Sequence, residues 1–179
     1  MTQPVIKPEK IKTYQIPAKV LTESQSYLRD YGSKRYEGYM CWSGVIVGKE
    51  DALIRGCIYP KSYKESGFRD AYAGLDIQVA FDIGNQVHDR GEFLLAQIHT
   101  HAFEAFHSKT DDTYPISHKV GFISIVIPFF ARKRFYNTRT LVNCSVNEYL
   151  GSGKWRELKS KELRNRFLVA REETPTGDF

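Results

Sequence analysis

The chain has 179 residues and a mass of 20.6 kDa, which suits a single domain. Hydrophobic residues make up 41% and charged residues 26%, so intrinsic disorder, collagen-like repeats and a disulfide-stapled miniprotein are excluded. A net charge of +5 permits an acidic partner, but the basic residues are dispersed and no recognition helix or stacking motif points to nucleic acid.

The start of the chain and its cysteines indicate a cytoplasmic protein. Residues 1–17 are polar and lack the apolar stretch of a signal peptide. The longest apolar run, Gly121–Ala131, is shorter than the roughly 18 residues that a membrane span needs. Cys41, Cys57 and Cys144 lie far apart without a C-x-x-C pair, so we expect free thiols in a reducing compartment and no contact with a membrane.

The first part of the chain predicts an arm, a helix and a hairpin. Residues 1–15 contain two prolines among polar residues and are expected to form a loose N-terminal arm. From residue 16 apolar side chains recur with a period of 3.6, which predicts a helix that ends at Gly32. Two strand-like runs, Tyr39–Val47 and Ala52–Tyr59, then flank a short turn and predict a β-hairpin.

The middle of the chain alternates between helix and strand. A second helix is predicted at about Leu75–His88, because apolar residues recur there at every fourth position. A short buried strand, Phe93–Ile98, follows and leads directly into two histidines. Beyond a polar loop at 102–115, the almost wholly apolar residues 121–130 predict a strand in the centre of a sheet.

The C-terminal part predicts two more strands and a last helix. The strands are Thr140–Tyr149 and Trp155–Leu158, the helix is Glu162–Ala170, and residues 172–179 are expected to form a flexible tail. The domain is therefore predicted to span residues 16–171. Strands mixed with helices indicate an α/β or α+β sandwich, in which helices pack against one curved mixed sheet.

The two histidines that follow the strand Phe93–Ile98 are candidate metal ligands. Residues i and i+2 of a strand share a face, so His99 and His101 are expected to project together. The pair alone is not specific, since ordinary histidines at a strand end would give the same pattern. A third ligand can come from Asp111 or Asp112, which leaves a coordination position open, as in catalytic zinc sites. Ser108 also indicates a helix start that would hold Asp111.

These residues resemble the motif of a known family. His99-x-His101 followed by Ser108-x-x-Asp111 resembles the JAMM motif of JAB/MPN-domain zinc metalloproteases. Glu37, in the glycine-containing run 35–44, resembles the upstream glutamate that this motif requires. The resemblance covers about residues 35–150 and includes features of bacterial members found beside ubiquitin-like, E1-like and E2-like genes. It implies a cytidine-deaminase-like MPN/JAB fold, a Zn²⁺ cofactor and cleavage after the C-terminal glycine of ubiquitin or a ubiquitin-like modifier.

The resemblance also implies a role for each residue. His99, His101 and Asp111 would hold zinc, Glu37 would transfer a proton, and Ser108 would donate a hydrogen bond to the oxyanion. The spacing between His101 and Ser108 is one residue shorter than in most members of the family. Asp112 is therefore an alternative ligand, although Asp111 is favoured because Ser-x-x-Asp reflects the local geometry of a helix start.

The expected partners follow from the same resemblance. They are a ubiquitin-like modifier and its conjugates, with E1-like and E2-like proteins, in the setting of a bacterial antiviral defence operon. Phe103 and Phe106 either contact the extended tail of the modifier or fold inward and anchor the loop. Two alternative functions remain at this point. One is a catalytically inactive MPN scaffold, and the other is a zinc hydrolase that acts on a small molecule or a sulfur-carrier intermediate.

Overall fold

The computed structural model describes residues 11–60, 77–109, 111 and 115–170. Over these residues it contains eight strands and three helices, so the predicted α+β sandwich of helices on a curved mixed sheet is confirmed. In chain order the elements are β1 (Thr13–Pro17), α1 (Ala18–Ser33), β2 (Tyr39–Val47), β3 (Asp51–Ile58), α2 (Ile77–Asp89), β4 (Phe93–Thr100), β5 (Ile123–Ile127), β6 (Ser145–Gly151), β7 (Lys154–Glu157), α3 (Ser160–Arg166) and β8 (Phe167–Ala170). None of the described helices has the length and hydropathy needed to cross a lipid bilayer.

The strands form one sheet in the order β7–β6–β5–β4–β2–β3–β1–β8. The predicted hairpin of β2 and β3 is present, and β2 also pairs with β4 in antiparallel fashion. Three pairs are parallel, namely β4 with β5, β1 with β3, and β1 with β8. Because β4 lies in the interior of the sheet, side chains at its C-terminal end are supported by neighbouring strands on both sides.

The two long helices cover opposite faces of this sheet. On one face α1 contributes Val20, Leu21 and Leu28 to the larger core, and Trp42 of β2 is fully buried there. On the other face α2 contributes the buried residues Val79, Ile83 and Val87, which confirms that part of its predicted apolar stripe. Burial of these apolar stripes against the sheet is the main source of stability for both helices.

The two ends of the described chain differ from the prediction. Residues 13–15, expected to belong to the loose arm, are part of β1, and α1 begins at Ala18. The predicted last helix ends at Arg166, and Phe167–Ala170 forms β8 beside β1. The ring of Phe167 stacks on that of Tyr14 at 4.9 Å. Pairing between distant segments overrides the local pattern here. Residues 1–10 and the predicted tail at 172–179 lie outside the described residues.

Strands β5 and β6 are shorter than predicted. The strand expected at 121–130 covers only Ile123–Ile127, because the chain turns with left-handed backbone angles soon afterwards. The strand expected from residue 140 begins at Ser145. The residues before it form a small turn in which Tyr136 bridges to Leu141. Apolar residues continue beyond the end of β5 and also precede the start of β6, so apolar composition does not mark these strand boundaries.

A close approach of two strands requires a glycine at position 44. The register of β2 shifts between Ser43 and Gly44, and a Cβ atom at Gly44 would overlap the backbone carbonyl of Leu53 in β3. We expect Gly44→Ala to lower the free energy of unfolding by about 1–3 kcal/mol, as overpacking does. Chemical denaturation measured by circular dichroism would test this.

Gly84 provides the matched control for that substitution. It lies in the interior of α2, and apart from that helix's own backbone no atom of the described residues stands within 4 Å of a Cβ placed there. Gly84→Ala should therefore raise the free energy of unfolding by about 0.5–1 kcal/mol, because alanine is the better helix former. A neutral Gly44→Ala variant would contradict the close approach of β2 and β3.

The side chain of Glu148 links strands near one end of the curved sheet to the residue that precedes β8 at the other end. The carboxylate of Glu148 in β6 accepts hydrogen bonds of 2.9 Å from Arg156 in β7 and from Arg166 at the end of α3. Burial alone would raise the pKa of Glu148, but the two guanidinium groups outweigh that effect and lower it. The ion pairs therefore link β6 to the segment that leads into β8.

Glu148→Gln should lower the free energy of unfolding at neutral pH by about 1.5–3 kcal/mol, the contribution of hydrogen bonds to a charged group. A lowered pKa means that this contribution is complete above the ordinary glutamate value of 4.5 and declines as pH falls below it. Urea unfolding at a series of pH values should show the two proteins converge in acid. Glu23→Gln, in an exposed pair with Lys19, is the control and should change little. A stability difference independent of pH would contradict this interpretation.

Candidate metal centre

The end of β4 brings two histidines to one place. His99 is paired with Tyr39 of β2 on one side and with Val126 of β5 on the other. His101 lies just beyond the strand, and its backbone N–H donates to the carbonyl of Ile127 at 2.9 Å. Alternation along the strand places both imidazoles on one face, as predicted, and their Nε2 atoms are 3.2 Å apart.

Asp111 reaches the same place from the loop that follows. The backbone N–H of Ser108 donates to Asp111 Oδ2 at 2.7 Å, and the backbone N–H of Asp111 donates to Ser108 Oγ at 3.2 Å. This reciprocal pair has the pattern of a capping box, which is the helix-start geometry indicated by Ser-x-x-Asp. Asp111 Oδ1 lies 3.1 Å from His99 Nε2, and Oδ2 lies 3.7 Å from His101 Nε2.

The spacing of these three side chains suits a tetrahedral metal ion. Bonds of 2.0–2.1 Å in a tetrahedral zinc site separate neighbouring ligand atoms by roughly 3.3 Å. The separations between His99, His101 and Asp111 are 3.1, 3.2 and 3.7 Å, close to that value. They form the one group of three or more metal-ligating side chains found among the described residues. The donor set of two imidazoles and one carboxylate is also one that zinc accepts.

The protonation states favour metal binding as well. Burial and the neighbouring His99 lower the pKa of His101, so its imidazole is neutral at pH 7. Burial would raise the pKa of Asp111, but its hydrogen bonds with His99 and Ser108 outweigh burial and hold the pKa well below the usual range. A neutral imidazole and an ionised carboxylate are the forms that coordinate a metal.

Glu37 is placed beside this cluster by the start of β2. Its Oε1 accepts the backbone N–H of Ala102 at 3.1 Å. The next residue, Gly38, donates its N–H to Thr100 Oγ1 at 2.8 Å and accepts the N–H of Thr100 at 3.0 Å. Burial raises the pKa of the Glu37 carboxyl, and the nearby Asp111 adds to that effect, whereas the Ala102 N–H and His99 oppose it. A glutamate with a raised pKa is suited to accept and return a proton near neutral pH.

Gln97 supports the loop but was not anticipated from the sequence. Its Oε1 accepts the backbone N–H of Ile116, and its Nε2 donates to Ser124 Oγ, both at 3.1 Å. The side chain therefore connects β5 to the end of the loop that carries Asp111. The sequence does contain a signal for it, because Gln97 precedes His99 by two residues and so shares its face of β4.

A left-handed turn after β5 holds the other side of the loop. Phe129, Phe130 and Ala131 have φ values of 53°, 54° and 55°. Each non-glycine residue in this region costs roughly 1–2 kcal/mol. The N–H of Phe130 donates to the carbonyl of His101, and that of Phe129 to the carbonyl of Phe103, both at 2.9 Å. No glycine or asparagine marks this turn, so the sequence holds no signal for it.

The remaining candidates have distinct surroundings. Phe103 and Phe106 are 77% and 56% exposed, so neither ring folds inward, and Phe106 meets the ring of His101 edge-on at 5.1 Å. His107 packs against the indole of Trp155 in β7, with ring centroids 4.5 Å apart. Asp112, the alternative ligand, lies outside the described residues.

Comparisons with known proteins find related sequences and related structures. The chain is 30% identical over 165 residues to a protein of Sinorhizobium fredii named "Probable metalloprotease y4jG", and the match covers 90% of this chain and 96% of that protein. The solution structure of the protein DSY2949 from Desulfitobacterium hafniense has a TM-score of 0.62 at 13% identity, with 89% of this chain and 94% of that chain covered, and shows the same fold. No family model matches the chain.

Proposed function

Because the chain belongs to the family of the Sinorhizobium fredii protein named a probable metalloprotease, we propose that it is a zinc-dependent peptidase. The observation that carries this proposal is the convergence of His99, His101 and Asp111, whose ligand atoms lie within 4.8 Å of one another. The carboxylate of Glu37 stands next to them. Three protein ligands with one position open is the arrangement of a catalytic zinc site, whereas structural sites are closed by four ligands.

Each residue of the site has a task in hydrolysis. A bound zinc ion supplies Lewis acidity, which lowers the pKa of water and polarises the scissile carbonyl. Glu37 takes a proton from the attacking water while the oxygen of that water bonds to the carbonyl carbon. It returns that proton to the amine nitrogen when the carbon–nitrogen bond breaks. Ser108 Oγ accepts the N–H of Asp111, so its own hydrogen can be directed at the oxyanion.

The substrate that we propose is a conjugate or precursor of a ubiquitin-like modifier, cut after its C-terminal glycine. Support comes from the resemblance of Glu37, His99-x-His101 and Ser108-x-x-Asp111 to the JAMM motif. All of these residues lie around one site, as that assignment requires. E1-like and E2-like proteins of bacterial defence operons are the partners proposed on the same basis, and the cytoplasm is the proposed compartment.

The experiment combines metal analysis with cleavage of a ubiquitin-like fusion protein. Wild type should bind one zinc ion per chain and release the modifier, and His99→Ala should lose both properties. Folding of each protein is checked by circular dichroism. Absence of zinc in folded wild type, even after zinc is added, would favour an inactive scaffold. Zinc binding without cleavage of any modifier fusion would favour a hydrolase of a small molecule or a sulfur carrier.

A further inference from the structure

The left-handed turn Phe129–Ala131 exposes an aromatic ring on a segment whose backbone is hydrogen-bonded to the loop that carries His101. Phe129 is 43% exposed, whereas Ala131 two residues later is fully buried. Backbone angles that cost free energy are found where the surrounding structure imposes them, and they are concentrated at functional sites. Contacts on both sides of the turn must therefore hold its backbone in this conformation.

Helix α1 contacts one side of the turn through Gln25 and Gly32. The buried side chain of Gln25 donates from Nε2 to the carbonyl of Ala131 at 2.5 Å, and its Oε1 accepts the N–H of Phe135 at 3.2 Å. Gly32 approaches the turn so closely that a Cβ atom there would lie 2.5 Å from the carbonyl oxygen of Phe130. The turn is thus fixed to the main core on one side.

On its other side the turn is joined to the loop that contains the metal ligands. The hydrogen bonds from Phe129 to Phe103 and from Phe130 to His101 connect the two backbones directly. Two exposed rings, those of Phe103 and Phe106, belong to this loop, and a third, that of Phe129, stands on the segment joined to it by these backbone hydrogen bonds. Exposed apolar groups gathered at one site indicate a surface that becomes covered on binding.

We propose that Phe129, together with Phe103 and Phe106, forms a contact for an apolar side chain of the peptide substrate next to the bond that is cut. This inference rests on the proposed peptidase function and adds a specificity-determining residue to it. A peptide bound at the metal centre lies close to the loop at 101–106, because that loop carries His101. An apolar side chain that covers these rings is removed from water, which strengthens peptide binding. A polar side chain at the same place would lose its hydration, which weakens binding.

The test uses short fluorescent peptides of glycine and serine that end in glycine and carry one leucine, moved one position at a time. Binding is measured by fluorescence anisotropy with the zinc-loaded Glu37→Gln variant, so that no peptide is cut. The peptide with leucine at one particular position should bind about tenfold more tightly than the peptide without leucine. That preference should fall to less than about threefold when Phe129→Ala is added, with zinc content unchanged.

Phe93→Ala is the matched control. Phe93 is 42% exposed, nearly the same as Phe129, but it lies at the opposite end of β4, roughly 20 Å from His99 at 3.4 Å per residue. This variant should keep the full preference for leucine. If Phe129→Ala unfolds the turn, Phe103→Ala provides the same test without altering it.

Two results would overturn the inference. One is equal binding of all the peptides, and the other is a leucine preference that persists in both Phe129→Ala and Phe103→Ala. The proposed peptidase function is tested separately, by cleavage of the modifier fusion with zinc-loaded wild type. A leucine preference without cleavage would leave the contact surface in place and reject the peptidase, so the two failures can be told apart.

Discussion

Replacement of Glu37 by glutamine should reduce cleavage of a ubiquitin-like fusion by about 10²–10⁴-fold, the contribution of a general acid–base group. The amide keeps the shape of the side chain and can still accept the N–H of Ala102, which now lies 3.1 Å from the carboxylate. It cannot take a proton from water at neutral pH. Zinc content and thermal unfolding should therefore stay at the wild-type values, and only the turnover number should fall.

Glu104→Gln is the control for this experiment. Glu104 lies in the same loop but is exposed to solvent, so its replacement should leave the rate within a factor of about two. Elemental analysis, thermal unfolding and initial rates would be measured for both variants. A Glu37→Gln protein that retains zinc and cleaves at nearly the wild-type rate would show that another group moves the proton.

Removal of the Asp111 carboxylate should have the second large effect. Asp111 supplies the oxygen that lies 3.1 Å from His99 Nε2 and completes the set of three ligands. Loss of a residue that merely orients a ligand weakens metal binding by about 10–100-fold, so loss of a ligand itself should weaken it at least that much. Asp111→Ala should accordingly lose zinc, as measured by competition with a chromogenic chelator. It should lose cleavage of the modifier fusion as well.

Asp112→Ala is the comparison variant, because the sequence leaves Asp111 and Asp112 as alternatives for the third metal ligand. The structure places Asp111 at the histidines, so the neighbouring substitution should retain zinc. The opposite outcome, with zinc lost only in Asp112→Ala, would mean that the distance from the histidines and not the Ser-x-x-Asp spacing determines the ligand. Asp111→Asn is a useful third variant, since it keeps the hydrogen bonds of the helix start while weakening the ligand.

The elements that the sequence predicted well are those with a strong local pattern. The hairpin of β2 and β3 follows from two strand-like runs that flank a short turn, and the buried stripe of α2 follows from a four-residue repeat. The proximity of His99, His101 and Asp111 also has a local cause. Strand alternation orients the histidines, and the Ser108 cap orients the aspartate.

The features that the sequence did not predict depend on contacts between distant segments. Residues 13–15 form a strand only because β3 and β8 pair with them. The left-handed turn at Phe129 is held by Gln25, more than 100 positions earlier in the chain. Such contacts leave no periodic trace in a single sequence, and a motif resemblance covers only the residues that the motif contains.

The position of β1 has a consequence for the synthesis of the protein. This strand lies between β3 and β8, and Tyr14 is paired with Phe167, which the ribosome adds 153 positions later (167 minus 14). During translation one edge of β1 therefore stays unpaired while most of the chain emerges, and an unpaired edge can join another nascent chain. The protein should thus depend on chaperones during its synthesis more than during refolding of the purified, full-length chain.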